Sequence, residues 1–156
     1  MNRNRTTALI MGVCLALATP AAWAESSPFV GRWHWNRAQS TLPPGEPSPN
    51  DLVSDISQAE ADAVRWTVTI VTPDDQRHVV TFEPGADGEF QPISRDTTAS
   101  ARLTGDTLQA TFNGPTGLSD TQTCTVSANR QQMTCRGVVS DQKGHTVNYV
   151  DVYDRM

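Results

Sequence analysis

The chain has 156 residues, 12 basic and 17 acidic, for a net charge of −5. That length suits one domain, and that sign argues against binding nucleic acid or anionic lipid surfaces by bulk electrostatics. The acidic residues form no run, so the surplus reads as ordinary solubility.

Residues 1–24 have the layout of a secretory signal peptide. Arg3 and Arg5 make a basic start, an apolar run follows from Ala8 to Ala18, and Ala22-Trp23-Ala24 supplies a small-x-small cleavage site. The apolar run is too short to span a bilayer, so no membrane span is expected in the mature chain. Gly12-Val13 is a poor approach to a lipidated Cys14. Cleavage near Ala24 leaves 132 residues with ten basic and seventeen acidic side chains, a charge near −7, in the periplasm or outside the cell.

Phe29 to Trp35 crowds aromatics around Gly31, and Pro43 to Asp51 is a proline-rich stretch that cannot join a sheet interior. It is expected to cross one end of the fold as an extended loop. Ser57 to Ala63 carries Ala and Glu but is too short for a stable helix.

From there on, turn clusters recur about every eight to twelve residues, with apolar and polar residues alternating between them, the rhythm of a sheet meander. In Val64 to Ile70 the residues Val64, Trp66, Val68 and Ile70 share a face. Pro73-Asp74-Asp75 turns the chain. His78 to Glu83 follows, apolar in both phases, and its inward face is ambiguous. Phe90 to Ser94 reads as a short edge strand limited by Pro92. Thr98 to Leu103, Thr107 to Phe112, Leu118 to Val126, Gln132 to Val139 and Thr146 to Tyr153 complete eight to ten strands. Open edges of such a meander invite aggregation, and closure removes them. The expected fold is all-β, an antiparallel up-and-down meander closing into a barrel, with eight strands the economical number and a two-sheet sandwich as the alternative.

With Cys14 removed, Cys124 and Cys135 form an even pair in an exported chain and read as one disulfide. They flank the turn at Asn129-Arg130. A two-residue loop would demand positive φ at Arg130, which is unfavourable. A four-residue loop, Ala128 to Gln131, sets the cysteines at a non-hydrogen-bonded pair, where side chains approach more closely.

Gly31-Arg32-Trp33 ahead of a strand resembles the G-x-W start of lipocalin-like barrels. Asn36, Ser40, Pro44-Gly45, Pro47 and the closing Val152-Tyr153-Asp154-Arg155 extend the likeness to small exported bacterial lipocalin-like proteins of unassigned activity. The resemblance implies that Trp33 packs at a closed barrel end beneath Arg155, with Gly31 beside them. Gln39 stands where that group often has lysine, and the Thr-Asp-Tyr-like motif of animal lipocalins is missing, so their ligands do not carry over.

No catalytic or cofactor motif is present, and His34, His78 and His145 show no ligand spacing; no catalytic residue, metal or cofactor is assigned. The candidate site is the barrel interior. Trp35, Trp66, Phe82, Phe112 and Tyr149 are the candidate lining of a small apolar or amphipathic ligand, with Ala99, Ala101, Ala110 and Gly137 leaving room. The alternative is a filled barrel acting as a protein-interaction or inhibitor module through Glu25–Pro28 and the Pro43–Asp51 loop.

Overall fold

The computed structural model describes residues 26–45, 47–83 and 85–156. The leader read in residues 1–24, and Glu25 of the N-terminal arm, lie outside them. Ten antiparallel strands form one sheet: β1 (Gly31–Trp35), β2 (Asp51–Ala59), β3 (Val64–Val71), β4 (Arg77–Phe82), β5 (Gln91–Pro92), β6 (Thr98–Thr104), β7 (Thr107–Asn113), β8 (Ser119–Val126), β9 (Gln132–Ser140) and β10 (Thr146–Arg155). This is the up-and-down meander expected from the alternation, in a single sheet among the described residues. Among the described residues no helix is long and apolar enough to cross a membrane.

The chain's two ends meet. β1 pairs with β10, with Trp33 opposite Arg155 and Trp35 opposite Tyr153. The sheet's own edges are therefore β4 and β5. They form no ladder with each other, but the segment after β4 stitches the seam at one end. Gly85 bridges Ala63, Asp87 bridges Arg102, and the Ala86 and Gly88 amides donate to Asp62 and Ala101 at 3.2 and 2.8 Å. Away from that stitch, Arg77 to Thr81 is exposed on both faces, which is why its apolar phase was ambiguous in the sequence.

β2 is the strand the sequence conceals. Its inward phase reads Leu52, Ser54, Ile56, and a bulge between Ile56 and Gln58 then flips the alternation before Ala59. Ser54 is fully buried and accepts a hydrogen bond from the Trp66 indole N–H. A polar side chain stands at this inward position because a buried indole N–H needs an acceptor.

The closed end is built as a plug. Trp33 and Phe29 have no exposed surface, and the Trp33 indole N–H donates to the Phe29 carbonyl at 2.8 Å. The Arg155 guanidinium lies 4.1 Å from the Trp33 ring centroid. It donates to the carbonyls of Pro28 (2.7 Å), Val30 (2.9 Å) and Arg130 (2.5 Å). Three carbonyls, one of them in the β8–β9 turn, thus share one cation with an indole face. Gly31 passes beneath it with φ 144°, and any side chain there would strike the guanidinium.

Cys124 and Cys135 are joined, fully buried, and directly opposite on β8 and β9 with their Cα atoms 4.0 Å apart. The Ser127 amide donates to the Gln132 carbonyl at 2.8 Å, so the loop is the four residues 128–131. Three steps down the ladder from that bonded pair, the cysteines occupy a non-hydrogen-bonded pair. Arg130 nevertheless adopts φ 58°. The left-handed turn residue disfavoured for a two-residue loop occurs in the wider one, where its carbonyl is held by Arg155. Replacing both cysteines with serine is expected to cost about 2–3 kcal/mol in a urea melt while the far-ultraviolet circular dichroism stays that of the wild type.

Candidate functional site

The barrel is packed in one half and hollow in the other. Strand direction explains the division. The half nearer the plug receives Ile56, Val64, Leu108, Met133 and the disulfide, all fully or almost fully buried. Ala99, Ala101 and Ala110 are buried in the core and are not among the residues that line the cavity. The other half holds a cavity of about 550 Å³, within the ~300–1,000 Å³ usual for small-molecule pockets. Its walls come from strands: Trp35 of β1, Leu52 of β2, Ile70 of β3, Phe112 of β7, Val139 of β9 and Tyr149 of β10. Its rim comes from loops. Pro43, Pro47 and Pro49 belong to the proline-rich connection, Thr72 and Pro73 to the β3–β4 turn, and Pro115, Thr116 and Leu118 to the β7–β8 turn. The proline stretch therefore borders the mouth, an end of the barrel as expected.

Of the five aromatics picked out by phase, Trp35, Phe112 and Tyr149 line this cavity. Trp66 and Phe82 do not. They sit near the plug-side ends of β3 and β4, each 3% exposed, in the packed half. Phase gives the face of a sheet but not the depth along the barrel, which strand direction sets. The rings still connect. Trp66 and Phe82 lie 5.4 Å apart between centroids, and Phe82 meets Phe112 edge-on at 5.1 Å. This aromatic column runs from the core up to the cavity wall.

Gly137 also differs from expectation. It stands opposite Tyr149 on β9, and a β-carbon there would lie 2.0 Å from the tyrosine Cζ, far inside van der Waals contact. The missing side chain does not enlarge the cavity; the Tyr149 ring fills that space. Held there, the Tyr149 hydroxyl reaches both Asp120 carboxylate oxygens at 2.8 Å and donates to them. The Gln122 amide donates to the Tyr149 oxygen at 2.8 Å and to Asp120 at 3.2 Å. Across the cavity wall the Trp35 indole N–H donates to Asp151 at 2.8 Å.

Burial pushes the Asp120 carboxyl above its ordinary range, against the opposing effect of the hydrogen bonds from Tyr149 and Gln122. Burial first, and then the charge of Asp120, push the Tyr149 phenol upward, so it remains a neutral donor. Tyr153, also buried, is raised in the same way by burial and then by Asp151 and Asp120.

Asp120, Gln122 and Asp151 are cavity-side polar residues that sequence reasoning passed over. A signal for them existed. Asp120 and Gln122 share the phase of Cys124, and Asp151 that of Tyr149 and Tyr153. Among the described residues no group of three or more His, Cys, Asp or Glu side chains could hold a metal ion.

No family model matches the chain, and no curated protein does. Solved structures match its fold. The fluorescent protein UnaG (wild type) aligns over 82% of this chain and 97% of its own, at 19% identity and a TM-score of 0.54. Zebrafish ileal bile acid-binding protein, complexed with cholic acid, aligns over 83% and 100%, at 20% identity and a TM-score of 0.54. A mutant of the REP1-NXSQ fatty acid transporter aligns over 84% and 100%, at 12% identity and a TM-score of 0.51. The likeness is one of fold: in this chain ten described antiparallel strands curl into one sheet whose first and last strands pair.

Proposed function

We propose that this protein is an exported barrel that binds one small, mainly apolar molecule in its open half. The observation that carries the reading is the cavity itself: about 550 Å³, open at the rim, walled by aromatic and aliphatic side chains, with a few fixed polar groups on one side. Burial of a ligand's apolar surface there contributes about 25 cal/mol per Å² before the costs of association. The barrels of similar fold that are named for bile acid binding and fatty acid transport support the reading. Export is supported by the leader pattern in residues 1–24 and by the buried disulfide. The same two features fit the exported lipocalin-like group that the ends of the chain resemble.

Native mass spectrometry of protein prepared gently from a bacterial periplasm is expected to show one small molecule per chain. Leu52→Trp, which fills the cavity from β2, is expected to lower affinity about tenfold or more, about 1.4 kcal/mol. A chain that stays bare, and that takes up no member of a panel of apolar probes, contradicts the proposal.

A further inference from the structure

The charged groups of the cavity are of one kind. Its charged lining side chains are the carboxylates Asp120 and Asp151, and no lysine, arginine or histidine lines it among the described residues. Asp120 is held by two neutral donors, Tyr149 and Gln122, at 2.8–3.2 Å. Of the basic residues near the mouth, Arg37 lies 5.8 Å from the Trp35 ring centroid and donates to the Pro49 carbonyl at the rim, His145 is engaged by Asp141 at 2.9 Å in the β9–β10 turn, and His78 is exposed on β4. A ligand carboxylate placed deep in this cavity would face like charges in a medium that screens them poorly. A ligand cation would find acceptors already in place, since a carboxylate offers about four lone-pair sites and the two donors leave some open. Desolvation of Asp120, which raises its proton affinity, would be offset by a bound positive charge.

We propose that the cavity takes an apolar amine, its ammonium group on the Asp120–Asp151 side and its hydrocarbon part against Trp35, Leu52, Ile70 and Phe112. The inference rests on the cavity being a ligand site and names the class of ligand. Ammonium-to-carboxylate hydrogen bonds are about twice as strong as neutral ones, and a fatty acid of equal length would lose them and meet repulsion instead.

Calorimetric titration of the mature protein at neutral pH with dodecylamine, dodecanol and dodecanoate, each below its micellar concentration, separates the possibilities. The amine is expected to bind about tenfold or more tighter than the alcohol, and dodecanoate weakest. In Asp120→Asn and Asp151→Asn, which keep an acceptor oxygen, the amine-to-alcohol ratio is expected to fall toward one. Asp120→Glu, which keeps the charge, is expected to retain most of the preference. Amine binding no tighter than alcohol, or dodecanoate binding tightest, overturns the amine proposal and leaves the cavity a ligand site. Binding of none of the three overturns both.

Discussion

Trp33→Ala is expected to lower the unfolding free energy by about 3–5 kcal/mol, the cost of removing a large, wholly buried aromatic. The loss has two sources. A cavity opens between Phe29 and the β1–β10 seam, and the guanidinium of Arg155 loses the indole face 4.1 Å away. Arg155 would keep its carbonyl partners at Pro28, Val30 and Arg130, so Arg155→Ala in the Trp33→Ala background should cost less than it does alone. Urea unfolding of the two single variants and the double variant gives this coupling directly. Strict additivity would mean that the two side chains do not act as one plug. Since this end lies away from the cavity, the folded fraction of Trp33→Ala should keep the wild-type affinity for an apolar probe.

Gly137→Ala is the second large effect. A methyl group there cannot coexist with the Tyr149 ring in its present place, so the ring must leave β9 and its hydroxyl must leave Asp120. Overpacking plus the lost hydrogen bond to Asp120 amounts to about 2–4 kcal/mol. The diagnostic is again a coupling. Tyr149→Phe should destabilise the wild-type protein through the lost hydrogen bond, yet do little in the Gly137→Ala background, where that bond is already broken. Equal effects of Tyr149→Phe in both backgrounds would contradict the placement of the ring.

The fold was largely legible because a meander writes itself as alternation between turns. Val64 to Ile70, Thr107 to Phe112 and Thr146 to Tyr153 fall on β3, β7 and β10, the first two with their apolar phase inward. The disulfide was legible too, since two cysteines symmetric about a turn leave few registers. β2 was hidden because Ser54 serves the Trp66 indole from an inward position and a bulge breaks the period. The site was only half legible. Alternation placed Trp35, Phe112 and Tyr149 on the inner wall, but it could not tell them from Trp66 and Phe82, which point inward at a different depth. The carboxylates were missed because an acid inside a barrel runs against the usual burial preference. Asp120 is tolerated there by its two hydrogen-bond donors, Tyr149 and Gln122, the first of which comes from a different strand.

Cleavage after Ala24 would leave three tryptophans, one at each level of the barrel: Trp33 in the plug, Trp66 in the packed half, Trp35 in the cavity wall. Their indole N–H resonances in a nitrogen-15 correlation spectrum, followed during titration with dodecanol, report where a ligand sits. The Trp35 resonance, whose proton is held by Asp151, is expected to move to saturation while those of Trp33 and Trp66 stay in place. A saturating ligand that shifts Trp66 or Trp33 and leaves Trp35 unmoved would show that the molecule is not bound in the open half of the barrel.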